Sequence, residues 1–136
     1  MAHTVQDWMS SPVVVIVPEM TVAQASTLMR RRGIHSVVVD LSKGQETSYG
    51  IVTTTDIRDK IVVSERDPAG VGVAEIMTSP ISCARPEWSL RQAAQKMQEE
   101  GIHHLPVEDS RGSLVGMISA TDIFIAVEES GWETGI

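Results

Sequence analysis

The chain has 136 residues, 42% of them hydrophobic, and a formal net charge of −7. That length suits one compact domain with a modest core. The acidic balance argues against nucleic acid as a partner, because phosphate-backbone affinity comes from clustered Lys and Arg that release counterions.

Two stretches of the chain repeat one pattern of elements. Met9-Ser-Ser-Pro12 opens the first and Met77-Thr-Ser-Pro80 the second, a shift of 80 − 12 = 68. At that shift Pro18 meets Pro86, Glu19 meets Glu87, Ala25 meets Ala93, Met29 meets Met97, Gly33-Ile-His35 meets Gly101-Ile-His103, and Val39 meets Val107. The register then slips by two, so that Gly50-Ile-Val-Thr-Thr-Thr-Asp56-Ile57 meets Gly116-Met-Ile-Ser-Ala-Thr-Asp122-Ile123 at 122 − 56 = 66. The first repeat therefore carries the longer loop, between Asp40 and Tyr49. A unit that recurs at such a period is one supersecondary element set that does not bury its apolar face alone.

Within each repeat the elements follow in order. Pro12-Val-Val-Val-Ile-Val-Pro18 reads as a short extended run between prolines. Thr21 is an N-cap candidate, and Val22, Ala25 and Met29 give a helix one apolar face up to Gly33, a C′ candidate; Ser89, Leu90, Ala93, Met97 and Gly101 repeat that arrangement. Strands are expected over Ile34–Val39 and Ile102–Val107, then across a polar turn over Tyr49–Thr53 and Leu114–Ser119, making hairpins. Asp56 and Asp122 open closing helices that run to about Val63 and Glu129. The unit is β-α-β-β-α, at residues 5–63 and 73–129, with residues 64–72 and their Pro68, Gly70 and Gly72 as the linker.

The chemistry concentrates at the strand-to-helix turns. A carboxylate there can accept hydrogen bonds from both vicinal hydroxyls of a ribose, each bond to a charged group contributing roughly 1.5–3 kcal/mol. The hydroxyl three residues earlier and the free N–H groups of the helix start can meet a phosphate. Thr53, Thr55 and Asp56 supply this set in the first repeat; Ser119, Thr121 and Asp122 supply it in the second. The same spacing also fits a capping box, in which hydroxyl and acid satisfy the orphan donors of the helix. His103 and His104 are adjacent in an extended segment and point to opposite faces, so they do not close on one metal ion. The sequence offers no Ser-His-Asp order, no Gly-rich phosphate loop and no HExxH, and no catalytic residue or metal site is expected.

With these motifs in order twice, from Val5 to Glu128, the chain resembles a stand-alone cystathionine-β-synthase (CBS) domain pair, the module often called a Bateman domain. The resemblance rests on the Met-Thr-x-Pro-like openings, on Gly101-Ile-His-His-Leu-Pro-Val107, and on the paired endings Gly-h-h-Thr/Ser-x-x-Asp, where h is apolar. It implies an α/β protein whose two β-α-β-β-α units pack around a pseudo-twofold axis and leave clefts for adenosine-containing ligands such as AMP, ADP, ATP or S-adenosylmethionine. It implies a sensing and regulatory role without catalysis, a homodimer, and an unnamed regulated protein that receives the signal. Family members carry His or Arg at the positions of His103 and His104 that reach ligand phosphates; the first repeat offers His35 and Ser36 there. Arg58, two residues after Asp56, adds a cation that the second repeat replaces with Phe124. The alternative is a ligand-free dimerisation or scaffold module in which Asp56 and Asp122 only cap helices.

Three further features complete the expectations. Arg30-Arg-Arg32 ends the first long helix, favourably placed against its dipole, while Gln98-Glu-Glu100 ends the second; such opposed ends can set how units or chains meet. Cys83 is the only cysteine and sits in an apolar run, which reads as a small buried hydrophobe. The N-terminus Met1-Ala-His-Thr-Val lacks a basic region leading into an apolar one, and no apolar run approaches the roughly 20 residues of a membrane-spanning helix, so a cytoplasmic protein without a membrane partner is expected.

Overall fold

The computed structural model describes residues 3–11 and 13–131. Pro12, the first residue of the expected opening strand, lies outside them.

The long helices form where their caps dictate. Helix α1 is one turn, Val5–Trp8, and α2 spans Val22–Arg32. Thr21 accepts from the Gln24 N–H while Gln24 accepts from the Thr21 N–H, a complete capping box. Val22, Ala25 and Met29 are buried on one face, and the helix ends at Gly33, at φ 64° and ψ 35°. Helix α4, Leu90–Glu100, repeats the design with Ser89, Gln92, Leu90, Ala93, Met97 and a Gly101 of identical φ and ψ. Left-handed geometry is costly for residues with a Cβ, which is why glycine stands at both stops.

The same caps shorten the strands that follow. Strand β2 is Ser36–Asp40 and β4 is His104–Glu108, each beginning two residues after the expected start. The reason is that the Ile34 N–H is spent on the Met29 carbonyl and the Ile102 N–H on the Met97 carbonyl, both at 3.0 Å, closing the helix instead of joining a ladder. Strands β3 (Tyr49–Thr53) and β5 (Leu114–Ser119) occupy their expected spans and pair antiparallel with β2 and β4. The opening strand is reduced to β1, Val15–Ile16, parallel to Val38–Val39; in the second repeat one bridge, Ala84 to Val107, stands at the same place. In the first repeat the longer loop closes its own small turn, Lys43 pairing with Glu46.

The closing helices differ as well. Helix α5 is regular over Ala120–Ser130, whereas in the first repeat α3 covers only Thr54–Ile57 and continues as a π-helical turn over Arg58–Val62. Ile61 on that turn is buried. Residues 64–72 do more than link: Pro68–Gly70 form a 3₁₀ turn, Val71 is buried, and its carbonyl accepts the Val22 N–H at 2.8 Å.

The compact units are offset from the sequence repeats. One runs from Val14 to Ile81; the other joins the segment up to Val13 to the chain from Ser82 onward. Each repeat's opening segment therefore packs on the body of the other repeat. Val73 donates to the Met20 carbonyl at 2.9 Å, and its match Val5 donates to the Trp88 carbonyl at 2.9 Å. Thr78 exchanges backbone bonds with Ile51, and Ser10 does so with Met117. Val5 and Val73 are both fully buried, Val73 in the core with Val22, Val37 and Val52, Val5 in the core with Leu90, Leu105 and Ile118.

Two glycines permit this exchange. A Cβ on Gly116 would stand 2.8 Å from the Ser10 carbonyl oxygen and 2.6 Å from Met9 Sδ. One on Gly50 would meet Met77 Sδ at 2.8 Å, with the Thr78 carbonyl at 3.2 Å. A flexible thioether can swing away; a ladder carbonyl cannot without breaking its bond. Gly116→Ala is therefore expected to lower unfolding free energy by about 1–3 kcal/mol and Gly50→Ala by less. Urea denaturation of the two variants checks the order, and equal losses would contradict it.

Candidate functional site

The two strand-to-helix turns have the same construction. At the end of β3 the Asp56 Oδ2 accepts from the Thr53 N–H at 2.9 Å and from Thr53 Oγ1 at 3.1 Å, while Thr53 Oγ1 accepts the Asp56 N–H at 3.2 Å. At the end of β5 the corresponding distances for Asp122 and Ser119 are 2.8, 2.9 and 3.1 Å. The capping box expected as one reading of the motif is thus complete in both repeats. It occupies one oxygen of each carboxylate. The other oxygens differ: Asp56 Oδ1 lies 3.4 Å from Lys60 Nζ, whereas Asp122 makes no ion pair among the described residues.

The histidines stand beside these turns. The His35 carbonyl accepts the Thr54 N–H at 3.0 Å and the His103 carbonyl accepts the Ala120 N–H at 2.9 Å, tying each Gly-Ile-His segment to the first residue of a closing helix. His104 lies opposite Ser119 in the ladder, as Ser36 lies opposite Thr53. His35 and His103 are exposed, and so are Thr55 and Thr121. Arg58 is turned to its neighbour: its Nε is 2.7 Å from Asp59 Oδ1, and this hydrogen bond holds the Asp59 carboxyl below the ordinary carboxylate range.

Next to each turn lies a groove between the long helix and the start of the closing one. In the first repeat it has a volume of about 380 Å³ and is lined by Ser26, Met29, Arg30, His35, Thr54 and Ile57, with Gly33 and Ile34 at its floor. In the second it has about 290 Å³ and is lined by Ala94, Met97, Gln98, His103, Ala120 and Ile123, with Gly101 and Ile102. At shifts of 68 and 66 every one of these positions has its counterpart. Three pairs differ in kind, Ser26 against Ala94, Arg30 against Gln98 and Thr54 against Ala120, and each change makes the first groove more polar. Of the groove residues, the motif reading picked out only His35 and His103. Aligning the two repeats along the helix face as well as the motif brings out the others.

The opposed helix ends are not symmetrical. Lys96 lies 3.8 Å from Glu99 and 3.7 Å from Glu100, so one cation of the same helix partly offsets the acidic end of α4. Among the described residues no group of three or more His, Cys, Asp and Glu could hold a metal ion, and no helix is long and apolar enough to cross a membrane.

Cys83 lies outside the grooves. Burial, aided by the Glu108 carboxylate, pushes its thiol up to about 11. A raised thiol pKa leaves the nucleophilic thiolate scarce below that value, so the folded protein should react with iodoacetamide at pH 8 at least about 100-fold more slowly than the urea-unfolded chain. Alkylation followed by mass spectrometry measures this. Equal rates folded and unfolded would contradict the burial.

Comparison with known proteins places this geometry. The CBS domain family model matches residues 5–63 and 73–129. An uncharacterised protein of Methanopyrus kandleri is 31% identical over 78% of this chain, which spans 53% of that protein's length. The CBS domain-containing protein YhcV of Bacillus subtilis is 28% identical over 90% of this chain and 84% of its own. Among solved structures, a hexameric CBS-CP12 protein from bloom-forming cyanobacteria superposes with a TM-score of 0.86 at 32% identity, covering 96% of this chain and 72% of that one. A CBS domain pair in complex with 5′-methylthioadenosine and S-adenosyl-L-methionine superposes with a TM-score of 0.79, covering 96% and 99%; at 21% identity that likeness concerns the fold.

Proposed function

The chain belongs to the CBS domain family as a tandem CBS pair, a regulatory module, and from that premise we propose that it binds adenosine-containing ligands at the turns headed by Asp56 and Asp122 and reports their presence to a partner protein, without catalysis. The observation that carries this is the repeated turn. In each copy a half-buried carboxylate beside a groove of a few hundred Å³ has one oxygen committed to the helix cap and a second that is not part of it. Such a carboxylate can accept ribose hydroxyls in charge-assisted bonds while the cap stays in place. The bound ligands of the structurally similar pair support adenosine compounds as the class to test. AMP, ADP, ATP and S-adenosylmethionine are the candidates. In the second copy His103 lines the groove, and in the first His35, Thr54 and Arg30 do; these are the polar side chains proposed to meet a phosphate, with His104 on the ladder beside Ser119.

The complete capping boxes favour one competing reading, a ligand-free scaffold in which both aspartates serve the helices alone. Replacing each Asp by Asn separates the two. Asn keeps an acceptor for the cap but replaces the second acceptor with a donor. Isothermal titration of the four ligands should show Asp56→Asn and Asp122→Asn each weakening its own site by about 2–4 kcal/mol, the loss of two charge-assisted bonds, and the double variant binding nothing at nearly native melting temperature. Undiminished binding by the folded double variant would leave the scaffold reading.

A homodimer belongs to the same proposal. Val62 and Val63 at the end of the first closing helix, and Phe124 and Ile125 on the second, are 66%, 71%, 57% and 40% exposed. In each unit, taken by itself, exposed apolar side chains on the closing helix are the kind of surface that a second copy covers in a twofold assembly. Sedimentation velocity at micromolar concentration should give the mass of a dimer or a larger assembly, and a monomer alone would contradict this.

A further inference from the structure

Lys60 distinguishes the two turns. Its ammonium donates to the Ile76 carbonyl at 2.7 Å and stands 3.4 Å from Asp56 Oδ1, the oxygen that the cap leaves over. Ile76 is 1% exposed, so the amine is anchored to a fixed acceptor and does not sweep freely over the surface. The carboxylate it faces is 15% exposed, against 45% for the lysine itself. At the shift of 66 its counterpart is 60 + 66 = 126, and Ala126 is fully buried and carries no charge. The backbone differs in step: Lys60 rides on the π-helical turn Arg58–Val62, while Ala126 lies in the regular helix α5. Single π-helical turns inside helices recur at functional positions.

We infer that the two ligand sites are unequal and that Lys60 is the residue that makes them so: it holds the free oxygen of Asp56, so that the site of Asp122 fills first and the site of Asp56 fills only as a ligand hydroxyl replaces the ammonium. The inference rests on the reading of both aspartates as ribose acceptors. A vicinal diol needs the outer carboxylate oxygen as well as the capped one, because Oδ2 already accepts two bonds from Thr53. At Asp122 no ion pair among the described residues has to be displaced. At Asp56 the ligand competes with an ammonium that keeps its second partner, Ile76, whichever way the competition ends. Half-exposed ion pairs are weak, so the handicap is about three- to tenfold in affinity rather than a block.

Titration of the full chain with AMP tests this. The wild type should show two classes of site, the tighter lost in Asp122→Asn and the weaker lost in Asp56→Asn. Lys60→Gln should tighten the weaker class about three- to tenfold and leave the tighter one unchanged, and Lys60→Arg, which keeps a cation there, should restore the wild-type value. A loss of affinity in Lys60→Gln would make Lys60 a ligand contact and overturn the inference, as would two sites of equal affinity in the wild type. Absence of AMP binding in every variant would instead remove the ribose reading, and the inference would fall with it.

Discussion

The molecule depends on a backbone approach that only glycine allows. Ser10 pairs with Met117 and Thr78 with Ile51 because the residues beside those partners, Gly116 and Gly50, have no side chain to hold the incoming segment away. That pairing lets each opening segment deliver buried side chains, Val5 in one case and Val73 with Ile76 in the other, into a core built mainly by the other repeat. A single repeat cannot complete this arrangement, since its own opening segment is committed elsewhere. The glycine of the Gly-h-h-Thr/Ser-x-x-Asp ending is therefore a packing residue before it is anything else. Three residues beyond each glycine stands the cap hydroxyl, and three beyond that the aspartate, so the pairing over the glycine also fixes the turn that carries the chemistry.

The capping boxes bear on the choice between structure and ligand. A carboxylate that caps a helix and a carboxylate that reads a sugar are usually treated as rival assignments. Here the cap takes Oδ2 and the main-chain N–H groups of Thr53 or Ser119. The outer oxygen remains, and its surroundings decide what the turn can do. The cap thus preorganises the group: its rotamer is set before any ligand arrives, and no ordering cost falls on binding.

Much of this was legible in the sequence because local rules acted alone. The helix caps at Thr21 and Ser89, the stops at Gly33 and Gly101, the strands at Tyr49–Thr53 and Leu114–Ser119, and the turn residues Asp56 and Asp122 each follow from neighbours within a few positions. What escaped was set by distant partners or by backbone bonds that leave no mark on composition or period. A repeat period cannot say whether Val5 packs on its own repeat or on the other, since both copies offer a matching place. The early parts of the strands after Gly33 and Gly101 look extended in composition, yet their first N–H groups close the helix behind them. The π-helical turn at Arg58–Val62 has no periodic signature at all, and Lys60 meets Ile76 across sixteen positions.

At the grooves and closing helices the divergence of the two copies has one direction, while on the ladder beside the turns Ser36 stands against His104. Backbone features are duplicated closely at the long helices and the turns: Gly33 and Gly101 share φ 64° and ψ 35°, and the capping boxes match pair by pair. The changes are in side chains that face the grooves and turns, where Ser26, Arg30, Thr54, Arg58 and Lys60 stand against Ala94, Gln98, Ala120, Phe124 and Ala126. Each substitution leaves the first copy more polar or cationic and the second more apolar. On the proposed reading, two sites built on one backbone but differing in charge can favour different ligands, a distinction that two identical copies would not offer.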